Sequence, residues 1–127
     1  MRQTALVAPD GVAWTVDVPE SWRERVRGLI GARALGPHHA MLLERCRSVH
    51  TFGMRFPIDV VFLDRDLHVV DVRRVDPGRL TLPRLRARHV LECATDTRLG
   101  PGDRFTQGTR NDANASRDTS EDDPSRS

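Results

Sequence analysis

Apolar and polar residues along this chain fall into short segments of strand length, with one exception near the start. Leu6-Val7-Ala8 and Val12-Ala13-Trp14-Thr15-Val16 flank Pro9-Asp10-Gly11, a turn tripeptide between β-prone runs, and predict an opening hairpin. The exception begins at Ser21. Ser21 and Glu24 form a capping box, Trp22, Val26, Leu29 and Ile30 share one face, Arg23, Glu24, Arg25 and Arg27 take the other, and Gly31 suits the stop. This is the pattern of one amphipathic helix. Ala40 to Leu43, the run around residue 60, Leu67 to Val75 and Leu85 to Cys93 then read as strands, with Arg104-Phe105 closing the sheet. Strands outnumber helices and the connections look too short for crossovers. The expected fold is therefore α+β, mainly β: a small antiparallel, partly open, barrel-like sheet with the helix packed on it.

The richest segment is Val49-His50-Thr51-Phe52-Gly53-Met54-Arg55-Phe56-Pro57-Ile58-Asp59-Val60-Val61-Phe62-Leu63-Asp64, which threads ionisable residues through an otherwise core-like run. Read as extended chain, its even positions from Phe52 to Phe62 form an apolar stripe, leaving Thr51, Gly53, Arg55, Pro57 and Asp59 on the opposite face. Pro57 lacks a donor and holds Phe56 extended, so it belongs at a strand start, an edge or a bulge. Arg55 and Asp59 would lie about 13 Å apart in a regular strand at ~3.3 Å per residue, too far for easy pairing. If Asp64-Arg65-Asp66 is a three-residue hairpin loop, Asp59 faces Asp71, with Arg73 one step diagonal. Two facing carboxylates need a cation or a proton between them.

Together with Arg27-Gly28-Leu29 before it, and Val90-Leu91-Glu92 and Gly102-Asp103 after it, this segment closely resembles the domain of unknown function 192 family over roughly Ala13 to Phe105. The resemblance implies a fold and a pocket but no reaction, since that family has none established. Two departures stand out. Leu67 occupies the position after Asp66 where such proteins usually carry Gly in Asp-x-x-Gly, and Thr51 to Phe56 replaces the common Phe-Trp-Met-Lys-Asn-Thr. The second keeps a cation but changes its kind, because Arg55 offers a planar fork where lysine offers a point charge. At Leu67, a left-handed backbone would carry roughly 1 to 2 kcal/mol of strain and favour a shifted hairpin register, moving Asp71.

The chain has 127 residues, enough for one domain with its own core. From Thr106 onward the only apolar side chains are Ala113 and Ala115, so residues 1-105 are expected to form a single globular domain and 106-127 a disordered tail. Setting the tail aside leaves 17 arginines and 13 acids, net +4. All basic residues are arginine, a bias that carries no function by itself. The N-terminus has no signal-like apolar run and no stretch approaches a membrane span, so a cytoplasmic protein without membrane association is expected.

Cys46-x-x-x-His50 and His89-x-x-x-Cys93 offer four zinc-type ligands. Both segments read as strands, where residues four apart are separated by about 13 Å, so no metal and no cofactor is expected. Cys46 and Cys93 are read as reduced core thiols, with a disulfide only if the chain is exported. His50 is read as a structural histidine, and His38, His39 and His68 as loop or surface residues.

Six arginines between Arg73 and Arg88 stand against the single acid Asp76. Arg84, Arg86 and Arg88 alternate with Leu85, Ala87 and His89 as on a strand with one wet face, and no aromatic lies between Leu63 and Arg104 to stack a base. No nucleic-acid binding is expected. The residues favour a small binding domain, with Thr51, Arg55, Asp59, Asp71 and Arg73 around a polar pocket for an anionic or carbohydrate-like, polyhydroxyl ligand and no catalysis. Two alternatives differ in class. One is an enzyme using Asp59 with Asp71 or His50 on a sugar or phosphate-bearing substrate; the other docks an acidic protein partner through the arginine row. A fully structural reading also stands, in which Asp59 and Asp71 are neutralised by Arg55 and Arg73.

Overall fold

A computed structural model describes residues 2–21, 36, 38–95 and 97–108. Every regular element among them is a strand: β1 (Arg2–Val7), β2 (Ala13–Val18), β3 (His39–Leu43), β4 (Ile58–Leu63), β5 (Val69–Val75), β6 (His89–Cys93) and β7 (Thr106–Gln107). The opening hairpin forms as expected, with Arg2 opposite Val18 and Val7 opposite Ala13. Gly11, at φ 86°, takes the left-handed position that its turn needs.

One sheet contains all seven strands in the order β5-β4-β6-β3-β2-β1-β7. The α+β expectation needs correcting, since no helix occurs among the described residues. The helix expected over residues 21–31 lies, apart from Ser21, outside them. Nor is the sheet wholly antiparallel, because β2 and β3 pair in parallel, with Val16 opposite Ala40. Parallel neighbours need a long connection. Residues 19–38 supply it, a length that the expectation of short loops overlooked.

The sheet curls into a half-barrel whose two edges meet at one corner. Val69 N–H donates to the Asp103 carbonyl at 2.7 Å, Phe105 N–H to that of Leu67 at 3.0 Å, and His68 bridges Arg104. The strand at this closure is β7, which begins at Thr106, one residue past the boundary expected for the globular domain. Residues 109–127 of the expected tail lie outside the described residues.

Both faces of the sheet are dry at its centre, around β4, β6 and β3. The concave face collects Leu6, Trp14, Val16, Val18, Leu42, Val61, Leu63, Leu91 and Phe105. The other collects Met41, Leu43, Ile58, Val60, Phe62 and Val90, roofed by Val49, Met54 and Ala87 from the connections before β4 and β6. All six residues of β4 are buried in consequence, as expected for a strand covered on both sides. The extended reading of the signature holds only from Ile58. Residues 52–53 form a turn and Phe52 is exposed.

Candidate functional site

Thr51 is fully buried, and its hydroxyl is already engaged. Oγ1 donates to the Asp76 carbonyl at 2.6 Å and accepts the Arg79 N–H at 2.9 Å, while Gly78 N–H donates to the Thr51 carbonyl at 2.9 Å. Thr81 repeats the device one step along, its Oγ1 accepting the Val49 N–H at 2.9 Å. These two threonines pin the signature's turn to the 76–81 connection and hold the roof over Ile58, Val60 and Phe62.

The β4–β5 hairpin does not carry the register expected from the sequence. Asp59 pairs with Arg74 rather than Asp71, Phe62 pairs with Asp71, and a bulge separates Phe62 from Leu63. The physical cause is at the turn. Leu67 adopts φ 66°, the left-handed conformation that favours glycine, and Asp64 Oδ1 accepts the N–H groups of Asp66 and His68, both at 2.9 Å. The connection is therefore longer than three residues, and the shift reverses which face Asp71 occupies.

The five residues singled out from the sequence are consequently dispersed. Asp59 faces the concave side, where Arg74 approaches its carboxylate at 3.4 Å and also donates to the Thr95 carbonyl. Asp71 lies on the Phe62 side and accepts from Arg84 at 3.0 Å, with that guanidinium 5.1 Å above the Phe62 ring. Arg55 and Arg73 are exposed and form no ion pair among the described residues. His50, whose ring stacks on Phe52 at 5.1 Å, is on the roof. Neither Asp59–Asp71 nor Asp59–His50 is assembled as a pair.

A cavity of about 270 Å³ opens elsewhere, at the end of the half-barrel where β1 turns into β2 and β6 ends. Trp14, His38, Cys93, Thr97, Arg98 and Asp103 line it, with Asp10 at its rim. Trp14 is wedged edge-on against Phe105 at 5.4 Å and tilted against His38 at 6.3 Å. His38 sits at φ 56°, its carbonyl accepting the Thr15 N–H at 2.9 Å, so the strained residue is fixed beside the opening. Asp10 Oδ1 and Asp103 Oδ2 each accept a backbone N–H of their own turns, from Val12 and Gly100. Thr97 Oγ1 is different. It is buried and has no hydrogen-bond partner among the described residues.

Sequence reasoning missed this site because its residues come from three separate connections. His38 is an exposed turn residue, as expected, whereas His39 departs from the expectation of a loop or surface residue, being half-buried at the start of β3; both line the cavity, and His39 Nε2 lies 2.8 Å from Asp17 Oδ2. The usable signals were Pro9-Asp10-Gly11 next to Trp14, and Gly102-Asp103. Asp59 supports the cavity from behind, since Cys93 is its cross-strand neighbour and its Arg74 partner holds the chain at Thr95. The two cysteines are free thiols. The four zinc-type ligands do not gather; among the described residues Asp64, Asp66 and His68 form the one such group, and there the Asp64 carboxylate caps its own turn. No helix among the described residues is long and apolar enough to cross a membrane.

Comparison with known proteins adds a family. Residues 5–106 match the DUF192 family, described as Uncharacterized ACR. A stretch of 45 residues is 47% identical to the UPF0127 protein PH1112 of Pyrococcus horikoshii, covering 35% of this chain and 39% of that protein. A longer stretch of 88 residues is 32% identical to a UPF0127 protein of Thermococcus sibiricus, covering 65% of this chain and 57% of its relative. The matches thus span well under two thirds of these relatives. Among solved structures, a Sinorhizobium meliloti 1021 protein described as a candidate transcription regulator shares the fold at a TM-score of 0.68, with 24% identity over 83% of this chain and 92% of that one. A protein of unknown function from Novosphingobium aromaticivorans superposes equally well, at 20% identity, with 82% and 83% covered.

Proposed function

Taking as premise that the chain belongs to the DUF192 family of uncharacterised proteins, we propose that it binds a small polyhydroxyl ligand in the cavity beside Trp14. The observation that carries this reading is Thr97, a residue of the cavity wall whose buried hydroxyl has no hydrogen-bond partner among the described residues. A buried polar group left unsatisfied costs about 1 to 3 kcal/mol, and a ligand hydroxyl would recover that loss. Around it, the free oxygens of Asp10 and Asp103 are acceptors and the His38 ring is a donor or acceptor according to tautomer, while Trp14 and Leu99 supply apolar surface. Hydroxyl groups satisfy such a mixture. An anion fits less well, because Asp10 and Asp103 face the single guanidinium of Arg98. The volume lies just below the ~300 to 1,000 Å³ of ordinary ligand pockets, which suits a ligand the size of one sugar ring.

The test is thermal unfolding of the full chain against glucose, ribose, myo-inositol, acetate and citrate, with Thr97→Val alongside. A polyol at a hundred times its dissociation constant adds about 2.7 kcal/mol, a shift of several degrees for this size. The reading stands if a polyol gives that shift and Thr97→Val loses it; it fails if no polyol shifts the wild type.

A second reading keeps one specific observation. Leu80, Leu82 and Leu85 are 68, 75 and 86% exposed beside the exposed Arg73, Arg79 and Arg86, a surface suited to an acidic protein segment with apolar side chains. The enzyme reading lacks its pair, since Asp59 meets neither Asp71 nor His50.

A further inference from the structure

The opposite end of the half-barrel carries a second, chemically different opening. There the start of β1, the ends of β2 and β3, the turn after β4 and the start of β6 surround an open cavity of about 730 Å³. Arg2, Arg45, Arg65 and Arg88 line it with His89, against Glu20 and Glu44. The charges are unevenly spent. Glu44 is taken by Arg2 at 3.0 Å and Glu20 has a partner of its own, whereas the guanidinium groups of Arg45, Arg65 and Arg88 form no ion pair among the described residues. Three cationic forks are left facing one opening.

His89 adds a directed donor. Its Nδ1 accepts the Arg45 N–H at 3.2 Å, so the neutral ring carries its proton on Nε2. Burial holds its pKa below the ordinary value; Glu44 opposes this, and the positive charges of Arg88 and Arg45 reinforce it. Arg45 itself sits at φ 54°, a left-handed conformation that a non-glycine residue adopts at a cost and that recurs at ligand clamps. That conformation both presents its N–H to His89 and fixes the chain carrying its guanidinium.

We propose that this end of the barrel is an anion site for a compact phosphorylated molecule of the diphosphate type, held by Arg45, Arg65 and Arg88 with the His89 imidazole as an additional donor. Planar guanidinium forks match phosphate oxygens bidentately, and several together favour an anion bearing more than one charge. The other cavity sets Asp10 and Asp103 against Arg98 alone, so the two ends would sort ligands by charge.

The experiment is titration calorimetry of the full chain at constant ionic strength, with inorganic pyrophosphate, citrate and a twelve-residue oligothymidylate as probes. Pyrophosphate is expected to bind more tightly than citrate, and its affinity to fall at least tenfold in Arg65→Gln and in Arg88→Gln. Both substituted side chains are exposed, so circular dichroism and melting temperature should match wild type. Thr97→Val should leave pyrophosphate binding unchanged, which separates this site from the polyol cavity. Absence of heat with pyrophosphate, or binding unaltered in both arginine variants, overturns the proposal. Tighter binding of the oligonucleotide than of pyrophosphate also overturns it, in favour of a nucleic-acid backbone.

Discussion

The two faces of β4 are equally dry, yet they are kept dry by different means. On the concave side, among the described residues, the curl of the sheet brings Phe105 against Trp14 in one apolar cluster with Val61 and Leu63. On the convex side two connections do the covering, and polar side chains fasten them: Thr51 to the 76–79 turn and Thr81 to Val49. Thr51, conspicuous in the sequence as a polar residue within an apolar run, therefore serves the convex roof. The concave side keeps a buried hydroxyl without a partner among the described residues, at Thr97. Polarity inside an apolar run marks either a fastening or a site, and hydrogen-bond satisfaction tells the two apart.

The contrast breaks most sharply at Thr51. Thr51→Val removes a donor and an acceptor and strands the Asp76 carbonyl and Arg79 N–H, at a cost of about 2 to 3 kcal/mol. For a domain near this size the melting temperature should fall by roughly 10 °C. A change of under 2 °C in calorimetric unfolding would remove Thr51 as the fastening. Arg74→Ala comes next, since it withdraws a cation from the buried Asp59 carboxylate. Because Arg74 is 63% exposed, its contribution is screened, and chemical denaturation should show a loss of about 1 to 2 kcal/mol. Equal stability of the variant would mean that Asp59 is held by its other contacts.

Thr97→Val should move the other way. Replacing an unsatisfied buried hydroxyl by a methyl group stabilises the ligand-free protein by up to about 1 kcal/mol, while the polyol response is lost. Chemical denaturation with and without myo-inositol reads both effects. A variant that is destabilised by more than 1 kcal/mol would show that the hydroxyl serves the fold, placing Thr97 with Thr51 among the fastenings.

Much of the strand layout was legible because turn chemistry punctuates it: Pro9-Asp10-Gly11 marked the first hairpin, and the run ending at Leu63 marked β4. Which way β4's neighbours face was not legible. A strand buried on both sides carries no alternation to fix its register, so the pairing rested on an assumed three-residue loop. The left-handed Leu67 and the Asp64 cap lengthen that connection, and Asp71 lands opposite Phe62 instead of Asp59. The cavity was harder still to foresee. His38, Thr97 and Asp103 meet because the sheet curls and β2 pairs in parallel with β3, and both are long-range events without a local signature. Leu67 was the useful warning, since an apolar residue at a glycine position signals either strain or a changed turn.

The smallest expected effect compares two titrating groups near the end of β4, Asp64 in the turn that follows it and His89 opposite Leu63 on β6. The pKa of His89 is lowered, chiefly by burial, and its Nδ1 accepts the Arg45 N–H. The folded state thus binds its proton less readily than the unfolded chain, so the stability it confers is complete above about pH 6.5 and declines as pH falls through the folded-state value. Asp64 behaves alike in a lower window. Burial raises its pKa, but the N–H groups of His68 and Asp66 outweigh this and the net direction is down from 3.8. Its contribution persists above that value and is lost as pH falls through the folded-state pKa. Melting temperature followed from pH 8 to pH 3 should therefore decline in two limbs. His89→Gln should flatten the upper limb alone, and a flattening of the lower limb by the same substitution would show that the two groups are coupled through the corner where the sheet closes.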